Sequence, residues 1–215
     1  MHVVVNAATS ADGKLSSRRR EQIAISGEAD FARVDRLRAE VDAVAVGVGT
    51  VLADDPSLVR HDEAHRGPDA APPARVVVDS RCRTPEDAAI LADDPETYVL
   101  TSESAPDERR RALERSGASP LVAGTERVDL PAALTALAGE GVDRLLVEGG
   151  GELIFSLFEA GLVDELSVFV GGMVIGGREA PTLADGEGFV ADFPALELEG
   201  VERLDDGVLL RWTVA

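Results

Sequence analysis

A chain of 215 residues with 45% hydrophobic content has the length and the apolar supply for one large α/β domain, expected here over residues 1–215. Its formal net charge of −19 excludes nucleic acid and anionic membrane as partners, because both demand a basic surface. The single cysteine, Cys82, excludes an intrachain disulfide and a cysteine-built zinc cage.

The opening segment MHVVVNAATS has neither the basic nor the apolar region of a secretory leader, and no apolar run is long enough to span a bilayer. A soluble cytoplasmic protein is expected. Residues 3–7 (VVVNA) predict a short buried strand, followed by a polar turn with Asp12-Gly13 at its tip. Ser26 is the expected N-cap of a helix whose apolar face is Phe31, Val34, Leu37 and Val41, spaced by three and four. Residues 43–48 (AVAVGV) predict a fully buried strand, and DDPS at 54–57 a tight turn. The polar, proline-rich stretch 61–74 predicts a surface loop. Strands follow at 75–80 and 97–101, and an arginine-rich amphipathic helix at 106–116.

PLVAG at 120–124 predicts a short strand, and Pro131 opens a helix running to about Ala138. A strand at 143–148, a helix at 152–161 ending in Gly161 and a strand at 165–171 complete the alternation. The tail instead alternates apolar and polar residues around Asp206-Gly207, which signals a hairpin. The expected fold is therefore α/β: a mixed, mainly parallel sheet flanked by helices, with a C-terminal antiparallel hairpin.

Ligands of such sheets bind at the carboxyl ends of the strands. Four of these ends carry unusual residues: Asn6-Ala7-Ala8 leading into Asp12-Gly13-Lys14, the GVGTVLADDP segment (47–56) containing Thr50 and Asp54, DSR at Asp79-Ser80-Arg81, and VEGGGEL at 147–153. A hydroxyl and an arginine after a strand suit the 2′-phosphate of NADP. The triple glycine is not the dinucleotide fingerprint, whose G-x-G-x-x-G stands near the first strand with its acid about twenty residues later. HDE at 61–63 matches half of the zinc-deaminase signature, and one cysteine cannot supply the P-C-x-x-C half. The HExxH, GxSxG and P-loop patterns are missing too, so a metal-free chemistry carried by a bound cofactor is expected.

DGKL (12–15), LRAEVDAVAVGVGTVLADDPSL (37–58), RVVVDSRCRTP (75–85), LLVEGGGELIFSLFEAGLVDELSVFV (145–170) and GGREAPTL (176–183) occur in this order over nearly the whole chain. The ordered set resembles the riboflavin-biosynthesis pyrimidine reductases, closest to their stand-alone archaeal type. That resemblance implies a dihydrofolate-reductase-like fold, a homodimer, and reduction of a ribosylamino-pyrimidine phosphate to its ribitylamino product by NADPH, with NADH as the other possible donor. It implies cofactor contacts at Ala8, Thr50 and Asp54 on the nicotinamide side and at Asp79, Ser80 and Arg81 near the adenosine phosphate. Gly149, Gly150, Gly151, Glu152 and Leu153 match the pyrophosphate loop. Asn6, Arg38, Leu58 and Glu148 match substrate positions, Asn6 beside the ribose. The family's phosphate-binding arginine falls by spacing on His61, with Arg60 adjacent, so either is a candidate for the substrate phosphate.

Reduction of the ring-opened ribosylamine needs a positive imine to be favoured, which a nearby carboxylate does electrostatically. Asp54 and Glu148 are the candidates, and Glu148 is also placed to accept hydrogen bonds from the pyrimidine amino groups. A folate-type reductase on the same fold and a nucleotide-binding module without turnover are the competing readings. The aromatic content of 4% argues against a pterin site. Lys14 is the only lysine; an acidic, lysine-poor surface suits a high-salt cytoplasm, with an arginine- and alanine-rich codon bias as the plainer explanation.

Overall fold

The computed structural model describes residues 1–21, 23–67, 70–92 and 94–215. Positions 68 and 69 of the expected 61–74 loop therefore lie outside the described residues. The chain groups into two compact units: one holds Arg36–Leu146 with Met1, the other His2–Asp35 with Val147–Ala215.

The first unit is built on β2 (Ala43–Gly47), β3 (Ala74–Val78), β4 (Thr97–Thr101), β5 (Ala118–Val122) and β6 (Arg144–Val147), in the order β5-β4-β3-β2-β6. The pairs β2–β3, β3–β4 and β4–β5 are parallel. Strands covered on both faces need apolar residues at every position, which is why AVAV and VVV run without alternation. Val44, Val76, Val77 and Val99 are each 0% exposed. Between these strands lie α2 (Val48–Asp54), α3 (Glu63–Arg66), a 3-10 turn at Ala89–Leu91, α4 (Asp107–Arg115) and α5 (Leu130–Gly139). The helix α2 follows Gly47 directly, so the strand expected to reach residue 48 ends one residue earlier. The four-residue α3 sits inside the expected loop, with the Asp62 carboxylate accepting from the His65 N–H. Asp129 caps α5 by accepting from the Ala132 N–H, and Pro131 lies in its first turn.

The second unit holds β1 (His2–Ser10), α1 (Glu28–Ala39, up to Asp35), α6 (Gly151–Glu159), β7 (Glu165–Gly171), β8 (Leu196–Leu204) and β9 (Gly207–Val214), with strand order β1-β7-β9-β8. The β1–β7 pair is parallel, and β7–β9 and β8–β9 are antiparallel. The hairpin expected from the tail is present, but its turn is Asp205-Asp206. Gly207 already belongs to β9, where a Cβ would meet the Phe169 ring and the Val170 carbonyl at 2.4 Å. The start of α1 also differs from expectation. The side chain of Asp205, not Ser26, accepts from the N–H groups of Ala29 and Asp30, at 3.2 and 3.0 Å. Of the four positions expected to form its apolar face, Val41 is buried, Val34 and Leu37 are half-buried, and Phe31 is 48% exposed.

Candidate active site

In the first unit, the strand ends and following loops carry most of the expected polar groups. Gly47 caps α2 without a side-chain hydrogen bond, and Thr50 is half-buried in its first turns. Asp54 ends the helix with an exposed side chain, and the desolvation it meets there pushes its carboxyl above the ordinary aspartate value. Asp55 then adopts a left-handed conformation and accepts from the Ala89 N–H at 2.8 Å, which fixes the exit of the chain. Leu58, also left-handed at φ +51, is buried and leads to exposed Arg60 and half-buried His61. Arg38 Nη1 donates to the Arg60 carbonyl at 3.0 Å, so these two cationic residues are brought together. The His61 Nδ1 lies 3.0 Å from the Val59 carbonyl. A carbonyl only accepts, so Nδ1 carries the proton and Nε2 is the ring nitrogen left for another partner.

The DSR segment divides its labour. Asp79 is 0% exposed and accepts from the Thr84 N–H at 2.7 Å, the Thr84 hydroxyl at 2.9 Å and the Arg81 N–H at 3.3 Å. Its carboxylate thus builds the turn that displays its neighbours. Ser80 Oγ accepts from the Val128 N–H at 3.1 Å, while the Arg81 side chain is exposed. Cys82 is fully buried, and desolvation pushes its thiol up, the opposite of what an activated nucleophile needs.

In the second unit, Asn6 and Ala8 share one face of β1. Ala8 packs against the Ile25–Phe169–Leu209 cluster. Asn6 is buried at 6% exposure, and its Oδ1 accepts from Arg33 Nη2 at 2.8 Å. Glu148 is half-buried at the end of β6, directly before the glycine turn. Gly149 has φ +130 with open space where a Cβ would stand, and the Gly149–Gly150 peptide is cis. Gly150 caps α6 without a side-chain hydrogen bond. No side-chain cap occupies the N–H groups of Gly151 and Glu152, an arrangement that suits an anion, as at many phosphate-binding helix ends. Gly151 is glycine for another reason: a Cβ would sit 2.3 Å from the Thr182 carbonyl and 2.8 Å from an Asp185 carboxylate oxygen. Glu152 is exposed in the first turn, where the helix dipole favours its charge. Leu153 turns its side chain into the core and spends its N–H on the Gly150 carbonyl.

Sequence reasoning marked Asp12 and Lys14 at the first strand end but did not find the contacts by which polar groups organise this unit. Asp12 accepts from the Ser10 hydroxyl at 2.6 Å and from the N–H groups of Ile175 and Gly176 at 3.0 and 2.8 Å. Lys14 Nζ donates to the Ala180 carbonyl at 3.2 Å. Asp30 and Arg33 form an ion pair at 2.7 Å. Only that pair has a signal in the sequence, its i,i+3 spacing on a helix. Among the described residues, no group of three or more His, Cys, Asp or Glu is arranged to hold a metal ion, and no helix is long and apolar enough to cross a membrane.

A family model described as the RibD C-terminal domain matches residues 1–210. A 2,5-diamino-6-ribosylamino-4(3H)-pyrimidinone 5′-phosphate reductase of Archaeoglobus fulgidus is 47% identical over 211 residues, covering 96% of this chain and 94% of the relative. A protein of the same name from Methanothermobacter thermautotrophicus is 46% identical over 218 residues, covering 99% and 98%. Among solved structures, RibD of Acinetobacter baumannii superimposes with a TM-score of 0.83 at 27% identity; all of this chain spans 58% of that one.

Proposed function

The chain belongs to the RibD C-terminal domain family, and from that membership we propose that it reduces 2,5-diamino-6-ribosylamino-4(3H)-pyrimidinone 5′-phosphate to the ribitylamino product in riboflavin biosynthesis. The observation that carries this reading is the 47% identity, over nearly the full length of both chains, to a reductase named for that substrate. The proposal extends to NADPH as electron donor, to residues 1–215 acting as one reductase domain of the stand-alone archaeal type, and to a homodimer in a high-salt cytoplasm.

The residues fit a nicotinamide dinucleotide. The uncapped start of α6 and the open side of Gly149 suit a pyrophosphate, and exposed Arg81 suits a 2′-phosphate. When bound, the cofactor supplies the hydride. The chain's own residues do the rest. Arg38 and Arg60 attract the substrate phosphate, with His61 beside Arg60 in the chain. Glu148 accepts hydrogen bonds from the pyrimidine amino groups. Asp54, as a carboxylate, favours the positive charge of the ring-opened imine.

The test is the loss of NADPH absorbance when the ribosylamino-pyrimidine phosphate is added, repeated with NADH. Oxidation with this substrate supports the proposal. Binding without oxidation, or oxidation only with dihydrofolate, overturns it. Glu148→Gln is expected to raise the substrate KM and lower kcat; if both stayed unchanged, the role given to Glu148 would fall.

A further inference from the structure

We propose that Arg33, held by Asp30, is a positioning residue that turns the Asn6 carboxamide so that Asn6 meets its ligand only as a hydrogen-bond donor, through Nδ2. The inference deepens the substrate-binding role proposed for Asn6 and rests on that reading.

Asn6 and Ser167 are register partners on the parallel strands β1 and β7, so their side chains stand side by side on one face. Arg33 of α1 spans both. Its Nη2 donates to Asn6 Oδ1 at 2.8 Å and its Nη1 to Ser167 Oγ at 3.2 Å. The same guanidinium is fixed from behind. Its Nε donates to Asp30 Oδ1 at 2.8 Å, and Nη2 lies 2.7 Å from the same oxygen. The Asp30 side chain is only 3% exposed and that of Arg33 18%, so water competes weakly with this pair. Asp30 is itself held through its backbone N–H by the Asp205 carboxylate. The planar fork of an arginine, with three donor atoms each committed to a named acceptor, has little freedom left.

This arrangement decides which end of the amide is available. A guanidinium has no acceptor, so only the oxygen of Asn6 can face it; the flipped amide would set N–H against N–H in a desolvated site. Oδ1 takes a charge-assisted bond, and Nδ2 points the other way. Among the described residues Nδ2 donates to no group, and it is not sealed from solvent. A buried amide with one end locked by an ion pair and the other left open is a built donor. Its ligand atom is an acceptor: an oxygen of the substrate's sugar phosphate. An amino group is excluded at that position.

Asn6→Asp separates the two ends. The carboxylate keeps, and strengthens, the contact to Arg33 but has no hydrogen to give. The expected result is a substrate KM raised about tenfold or more, with the NADPH KM within about twofold and a melting temperature no lower than wild type. Arg33→Met is expected to raise the same KM by about fivefold or more, with Arg33→Lys falling between, since an ammonium reaches one acceptor of the pair but not both. An unchanged substrate KM in Asn6→Asp overturns the donor assignment, and this variant decides the matter even if Arg33→Met fails to fold. An unchanged KM in folded Arg33→Met overturns the positioning role. Absence of turnover by the wild-type protein overturns the reductase reading itself, and the ligand assigned to Asn6 falls with it.

Discussion

Gly151 and Gly149 show how one residue type serves two ends within a single turn. At Gly151 the chain itself claims the space, through the Thr182 carbonyl at 2.3 Å from a would-be Cβ. Gly151→Ala is therefore expected to cost about 1–3 kcal/mol by forcing backbone apart, read as a lowered melting temperature with or without cofactor. At Gly149 the space is open and only φ +130 demands glycine. The triple glycine was legible as a turn between strand and helix; which glycine answers to which neighbour was not, because Thr182 and Asp185 are distant in sequence. Arg75 makes the same point. It reads as an ordinary arginine opening a strand, yet it is 1% exposed, donates to the carbonyls of Ala92 and Pro95, and has its pKa lowered by that burial. Asp79, expected at a ligand, is spent on shaping its own loop. Asp54 yields a pH prediction. Desolvation raises its pKa above 3.8, so the ionised form required to favour an imine cation is reached at a higher pH than in an ordinary aspartate. Turnover is expected to rise with pH through that raised value, and this acid limb to vanish in Asp54→Asn together with about tenfold or more in kcat. A limb that persists in the variant would assign the titration to another group.

Elements were legible wherever the hydrophobic period was local. The parallel strands of the first unit announce themselves as unbroken valine-rich runs, and α5 and α6 by their termini. The start of α1 was not legible, because its cap arrives from the β8–β9 turn. Asp205→Ala removes the acceptor for two N–H groups and is expected to cost about 1 kcal/mol, or roughly 2–4 °C in melting temperature. A Ser26→Ala change is expected to leave it unmoved. The 172–195 connection, which has no regular structure of its own, is tied down by Asp12. The Ser10 hydroxyl and the Ile175 and Gly176 N–H groups hold the Asp12 carboxyl down to about 2. Its folded pKa lies below the unfolded value of 3.8, so the stabilisation is complete above 3.8 and lost as pH falls through about 2. Hydrogen exchange at the Ile175 and Gly176 amides should accelerate over that window. Asp12→Asn should show the fast exchange already at neutral pH.

At the scale of the molecule, a net charge of −19 makes self-repulsion a standing cost of compactness. Raising KCl from about 0.1 to 1 M shortens the screening length from about 10 to 3 Å. The melting temperature is expected to rise by about 5 °C or more over that range; a flat or falling curve would contradict adaptation to high salt. The division of the chain has a temporal meaning as well. Residues 36–146 form an unbroken unit, whereas the other unit is assembled from both ends of the chain. A ribosome emits the middle as a complete folding problem and the beginning as an incomplete one. Val4 has to wait for Glu165, and Ala29 for Asp205. At about 5–20 residues per second, the valine-rich first strand spends on the order of ten seconds with both of its hydrogen-bonding edges open. During that interval its natural hazard is another nascent copy of itself. The strand made ahead of the 36–146 unit is completed after it, so in the cell safe production of this chain depends on how VVVNA is shielded during translation.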